Sequence, residues 1–536
     1  MLRYAFRLHR WGMVGFGLVV AIYTAGQGAL FVQVAGNTPA GRAAFAHQMS
    51  IQAAQDAYLI PAPHSLDTLT GYLLWRAWGT LPVLVTLWAV AAAAGAARGD
   101  EQRLLVDSWI AARVSRRRIV ASRIAAFGLA ALVVTAAAGI GTLVVAAGTE
   151  AIGIGRVAGQ VLALWLFLLT AFAIAYLAAQ VPVSTRGAQG AGVLALVLLF
   201  VVDAADRTMH SLDGLAWISP YHWYNATYVL VPGGQLDLAG VLLSITTIGV
   251  AGSLAGLAFA SRDVRSPLLR LPARARVARD APPSALLSMR VARLLFRQRW
   301  LLLVWALAVS VLAVYMVGVA RSEVDSMLAF PNVRALLTQG GADPYRSWIG
   351  IFWFRLAQLM LAGFALHVAS GWAADDGEGV LAAELSRPRH RWGIVLERAI
   401  AMVLALSVLA GLGSLALTLA SRAQSTSLEL SIVLRATWLL VPFALTFAAA
   451  AAVGIARWPR ATVGVLGVVA FLSFLDSELA AILKWPDWVA NLSPFSLYGA
   501  PMISGVFWSG LWAMLAVVTA GFGLSVILMQ RREVAA

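Results

Sequence analysis

Two arginines stand inside apolar runs, and they are the residues of this chain best placed to do chemistry. Arg76 lies in "LLWRAW" and Arg355 in "FWFRLAQ". A guanidinium at membrane depth costs at least a few kcal/mol unless it faces a cavity or a partner. Trp75, Trp78, Phe352 and Trp353 offer aromatic faces for cation–π contact, and Gln358 falls one turn from Arg355. The set predicts a pathway for amphipathic or anionic molecules, with the two arginines approaching each other between the two halves of the chain. The plainer alternative is a snorkelling position or a structural ion pair, with Asp203, Asp206, Asp476 and Glu478 as candidate counter-charges. Covalent chemistry is not expected. There is no cysteine, and the seven histidines are scattered without a His-x-x-His spacing. The one lysine, Lys484, follows no glycine-rich loop, so the chain carries no Walker A motif and no ATP site of its own. No metal site is expected either.

The elements that hold these residues are apolar helices. The chain has 536 residues, 60% hydrophobic and 12% charged, with a mean hydropathy of +0.80. A soluble chain carries about twice that charge. Twelve runs reach the ~20 apolar residues needed to cross a bilayer. They lie near 11–34, 70–97, 119–147, 157–181, 187–206 and 236–260, then 300–320, 348–374, 393–420, 431–455, 461–482 and 506–530. The expected fold is all-α and integral to the membrane, with two pseudo-symmetric six-helix bundles. The expected divisions are 1–260, a basic linker 261–289, and 290–536. The net charge of +15 raises the question of a nucleic-acid partner. The arginines instead cluster in short segments at 98–123, 261–299 and 387–398, the positive-inside pattern. Those segments and both termini are therefore expected in the cytoplasm, in a multi-pass protein of the cytoplasmic membrane. Arg290, Arg293 and Arg297, like Arg3, Arg7 and Arg10, predict interfacial helices with arginines toward lipid headgroups.

The second half repeats the first. Arg186, Ser219-Pro220 and Tyr224 recur at one constant offset as Arg460, Ser493-Pro494 and Tyr498. Such a repeat means a duplicated membrane unit, whose copies usually enclose a shared pathway. The segments 207–234 and 483–505 are too interrupted for spans and rich in Trp and Tyr. They predict an outer hairpin acting as a gate or as an interfacial belt, with Pro220, Tyr224, Pro494 and Tyr498 as its gate residues. Between the second and third runs of each half, acidic residues open a short helix and arginines close it. The first loop offers Glu101, Arg103, Leu105 and Asp107. The second offers Glu378, Leu381, Glu384, Arg387, Pro388 and Arg389. That order complements the helix dipole, and an amphipathic surface helix can dock in a groove of a soluble partner.

An acidic-Gly-x-Leu start, a Leu-rich middle and a Pro-x-x-Arg end between spans two and three resembles the coupling helix of ABC-2-type transporter permeases. The "SPY" and "SPF" segments resemble that family's outer re-entrant hairpin. The tandem, arginine-rich, cysteine-free form is similar to actinobacterial exporters of polyketide antibiotics and other drugs. The first loop departs from the pattern, having Arg103-Leu104 and Val114-Ser115 where Gly-x-Leu and the proline would stand. The resemblance implies a permease subunit, not an enzyme, that exports hydrophobic or amphipathic small molecules. It also implies a separate ATPase, a homodimer binding ATP and Mg, docked on the two coupling loops. Substrate would pass between spans two, five, eight and eleven. A proton-coupled secondary multidrug transporter is the alternative, although its usual mid-membrane carboxylates are missing here.

Overall fold

The computed structural model describes all residues except 1, 37, 56–59, 209–213, 267, 269–288, 329–333, 335–336, 339–342, 378–379, 387–389, 425–427, 460, 480–492 and 532–536. The described residues form helices and no strand. The principal ones are α1 (Leu2–Ala35), α2 (Leu69–Gln102), α3 (Arg116–Ala146), α4 (Ile154–Ala178), α5 (Thr185–Thr208) and α6 (Leu238–Ser261). They continue as α7 (Arg299–Met327), α8 (Pro344–Asp375), α9 (Arg391–Ala423), α10 (Leu430–Arg457), α11 (Thr462–Leu479) and α12 (Trp508–Arg531). Among the described residues, eleven helices are long and apolar enough to cross a membrane. The protein is an all-helical, multi-pass membrane protein. The departure from twelve is α11, whose apolar part is only Thr462–Phe474.

The chain divides into two compact units, Met1–Arg276 and Val277–Ala536. Each packs its helices in the same order. The first helix lies on the third (α1 on α3, α7 on α9), and the fourth takes the second, third, fifth and sixth (α4 and α10 as hubs). The hubs are accordingly the most buried helices of their units. Small residues permit the close approach, as is usual between membrane helices. A Cβ added at Gly141 of α3 would stand 2.2 Å from Thr24 Oγ1 and 2.4 Å from the Ala21 carbonyl of α1.

Two sequence expectations change here. Arg3, Arg7 and Arg10 belong to the first turns of the continuous helix α1, not to a separate interfacial helix. The helix Arg290–Arg297 is half-exposed along its apolar side, and two of its arginines turn toward protein carboxylates rather than only toward lipid. Arg290 reaches Glu397 at 3.1 Å and Arg297 reaches Asp375 at 2.7 Å.

Candidate functional site

Each unit builds the same ion pair at its own arginine-rich end. α2 carries Asp100 near its end, and Arg123 of α3 pairs with it; both are buried. In the second unit Asp375 ends α8, and Arg398 of α9 reaches it at 3.3 Å. Asp100 stands to Asp375 in the chain as Arg123 stands to Arg398, so the two pairs are copies within the repeat. An indole accompanies each guanidinium: Trp109 at 4.6 Å from Arg123, Trp372 at 5.8 Å from Arg398. Seven residues earlier, Arg116 and Arg391 open α3 and α9. Arg116 Nη1 donates to the carbonyls of Phe259 and Arg262 at 2.6 Å each. Arg391 Nη1 donates to the Met529 carbonyl at 2.9 Å. These carbonyls lie at the ends of α6 and α12, where acceptors lack helical partners and the dipole favours a cation. Two arginines seven residues apart therefore fasten the third helix of each unit to the ends of its second and sixth.

The first unit adds a lock. Glu101 is buried, and its carboxylate accepts from Arg262, from Arg98 Nη1 at 3.0 Å and from the Arg265 backbone N–H at 3.1 Å. Arg98 also donates to the Ala179 and Gln180 carbonyls beyond α4, at 3.1 and 2.5 Å. The expectation that Glu101 faces a partner is corrected: its side chain is 1% exposed and holds the connector after α6. At the matching positions of the second unit Arg98 gives way to Ala373 and Gln180 to Ala456, whose apolar side chains cannot take the parts that those two residues play in the lock.

Beyond Glu101 the chain turns through Leu104, at φ 59°, into the short helix Leu105–Ala111. Arg103 and Leu104 are exposed, Leu105 and Asp107 partly so, and Asp107 lies 3.6 Å from Arg265. In the second unit the short helix is Val380–Leu385. Leu381 is buried against Ile394, Val395 and Met529, so it faces its own unit rather than a partner, another correction. Glu384 is half-buried. Glu378, Arg387, Pro388 and Arg389 lie outside the described residues.

The intramembrane arginines sit at π-helical turns, which the sequence does not announce. Leu73–Trp78 contains Arg76, and Ile349–Trp353 ends two residues before Arg355. A π turn inserts a residue and re-aims the side chains beyond it, and it often marks a functional position. Side chains occupy carbonyls along the first turn. Arg76 O accepts from Thr80 Oγ1 at 2.9 Å and from the Tyr23 hydroxyl at 3.2 Å. The Arg76 guanidinium lies 5.6 Å from the Trp75 ring. Arg355 Nη1 donates to the Ser477 carbonyl of α11 at 3.3 Å. Asp203, a candidate counter-charge, is taken instead by Arg207 and by Asn225 Nδ2 at 3.1 Å. Trp75, Trp78, Trp353 and Gln358 are buried core residues, with Trp78 Nε1 donating to Thr142 Oγ1 at 3.2 Å. Phe352 is the exposed aromatic of the set. An aromatic-lined open channel within each unit is therefore not what these residues form.

At the opposite end of each unit the described part of the hairpin forms a wedge between helices. Ser219 caps the helix Pro220–Asn225, and its hydroxyl donates to Leu199 O of α5 at 2.8 Å. Ser493 does the same to Ser473 O of α11 at 2.7 Å, with donor and acceptor both at the positions the repeat assigns. Phe200 packs edge-on to Tyr221 at 5.3 Å, and Phe474 to Phe495 at 5.7 Å, again at corresponding positions. Phe167 of α4 and Phe443 of α10 complete the clusters. Pro220, Tyr224 and Tyr498 are buried, and Pro494 is half-buried. The Tyr224 hydroxyl donates to Trp78 O at 2.9 Å, and that of Tyr498 to Ala436 O at 2.8 Å. Burial holds both phenols above their ordinary pKa, so each keeps the proton it donates.

Comparison with curated proteins returned no match. Residues 288–529, a little under half of the chain and almost all of its second unit, match the family model described as "Multidrug efflux system permease Rv1217c, C-terminal domain", and this all-helical membrane chain is thus similar to a multidrug efflux permease.

Proposed function

We propose that the chain is the membrane-spanning permease subunit of an ATP-driven exporter of the ABC-2 type. It moves hydrophobic or amphipathic small molecules, antibiotics and other drugs among them, out of the cell. Its architecture is a tandem of twelve crossings, with α11 as the short eleventh, in the cytoplasmic membrane and with both termini in the cytoplasm. ATP and Mg belong to a separate ATPase, a homodimer seated on the arginine-rich face. The observation that carries this reading is the duplicated fastening at that face. In each unit one arginine joins the third helix to the end of the second, and another joins it to the end of the sixth. A push on the short loop helix would then move three helices together. The match to an efflux permease supports the direction of transport.

The docking surface is assigned to the exposed Arg103 and Leu104 and the outer side of Leu105–Ala111, with the half-buried Glu384 in the second loop; Arg387, Pro388 and Arg389 stay coupling candidates on their sequence alone. Glu101 and Leu381 position those residues from behind. Arg76 and Arg355 remain the candidate pathway residues, the first within a π turn and the second two residues past one. Drug uptake into inside-out vesicles tests the reading. Uptake should require ATP and persist when the proton gradient is collapsed. Uptake driven by a proton gradient without ATP would assign the chain to the secondary transporters instead.

A further inference from the structure

In the second unit the short helix Arg290–Arg297 stops at Gln298, just before α7 begins. Arg290, Arg293 and Arg297 recur at steps of three and four, so they form one ridge about 10 Å long. The ridge runs across α9 rather than along it. Arg290, at one end, pairs with Glu397 of α9 at 3.1 Å. Arg297, at the other end, pairs with Asp375 at 2.7 Å, and the next residue of α9, Arg398, reaches that same carboxylate. Adjacent residues of α9 thus serve both ends of the helix. α9 is long and apolar enough to cross the membrane, so a helix lying across its basic end runs along the bilayer surface. The ion pairs leave the ridge open. The Arg290 and Arg297 side chains are still 53% and 52% exposed, and a guanidinium has five N–H donors, of which a carboxylate takes one or two. Arg299 is also exposed, 4.0 Å from the Phe296 ring and 5.8 Å from the Trp300 ring. Both rings are themselves exposed, as aromatics at the headgroup level are. Charge is unbalanced here. No acidic residue stands between Asp280 and Glu323, and among the described residues the arginines at 290, 293, 297 and 299 meet the carboxylates of Glu397 and Asp375, the second shared with Arg398. The first unit has no such ridge along the surface: Arg3, Arg7 and Arg10 lie on the spanning helix α1, where each step moves about 5–6 Å in depth.

We propose that this ridge binds the headgroup of an anionic phospholipid, with Arg290, Arg293, Arg297 and Arg299 holding its phosphodiester and Phe296 and Trp300 set beside it in the interface. The site prefers a lipid of net negative charge to a zwitterionic one with the same phosphate. Under the exporter reading the bound lipid also steadies Asp375 through Arg297, at the start of the second coupling loop, and that consequence rests on that reading. Lipid binding itself is measured without ATP or partner. The delipidated full chain is titrated with dioleoyl phosphatidylglycerol and with dioleoyl phosphatidylcholine, and bound lipid is counted by native mass spectrometry. With two of the four arginines shared with carboxylates, phosphatidylglycerol should bind about tenfold more tightly. Arg293→Gln with Arg299→Gln, which keeps both ion pairs, should cut that preference to about threefold, and adding Arg290→Gln and Arg297→Gln should abolish it. Arg3→Gln with Arg7→Gln and Arg10→Gln should leave it unchanged. Equal affinity of the wild-type chain for the two lipids overturns the proposal without any variant. So does a preference that Arg293→Gln with Arg299→Gln leaves whole, or one that the α1 variant loses equally, which would mean net charge only. Displacement of phosphatidylglycerol by equimolar glycerol 3-phosphate would overturn it too, in favour of a soluble phosphate ligand. If binding is as predicted but ATP-driven efflux is the same in phosphatidylcholine and phosphatidylglycerol vesicles, the site stands and its link to the coupling loop falls.

Discussion

The third-helix arginines show how residue chemistry sets the stakes at the basic face. In sequence, Arg116, Arg123, Arg391 and Arg398 read only as positive-inside charge. Their spacing of seven, kept in both units, was the available signal that they share a face and a task. Burial separates the two copies. Arg123 and Asp100 are 1% and 2% exposed, whereas Arg398 and Asp375 are each 12% exposed. Removing one member of a fully buried pair strands a charge and costs about 3–5 kcal/mol. Arg123→Ala should therefore lower the unfolding temperature in detergent markedly, and Arg398→Ala clearly less. Similar losses in the two would mean that burial does not set the difference. For the intramembrane arginines the expectation concerns selectivity. Arg76→Ala and Arg355→Ala should change the drugs exported at unchanged expression, checked by resistance profiles. Wild-type profiles in both would remove them from the pathway.

Among the elements, the hairpins were the most legible from sequence and the π turns the least. Ser-Pro followed by Tyr four residues on is a local pattern, and it repeats without drift because both hairpins keep the same serine tie and the same aromatic pair. A π turn has no composition of its own, so "LLWRAW" reads as ordinary helix until the carbonyl partners are seen. The short loop helices were legible as elements but not in their facing. Three or four residues decide which side is buried, and the partner that buries Glu101, Arg262, lies 161 residues away. At this scale the caps give a prediction. Ser219→Ala and Ser493→Ala each lose a backbone cap and a tie to the preceding helix, at a cost of about 1 kcal/mol. Limited proteolysis should cleave both hairpins faster, and to a similar degree. Cleavage unchanged in either would show that the aromatic cluster alone holds the wedge.

For the whole molecule, composition settled the class, and the constant offset announced two copies of one unit. Each copy packs its six helices in one order, with the fourth as hub. The lock at Arg98, Glu101 and Arg262 left no mark in the repeat, since Ala373 stands at the position of Arg98 and Arg262 lies 161 residues from Glu101. The central claim is that the exposed side of the basic face receives an ATPase while the buried side holds the loop in place. The most direct test is to purify the tagged chain from its native membranes and assay what accompanies it. The account predicts a bound ATPase whose capture is lost in Leu104→Asp at an unchanged unfolding temperature, whereas Glu101→Gln lowers that temperature. A chain that purifies alone, or an ATPase that stays bound to Leu104→Asp, would contradict it.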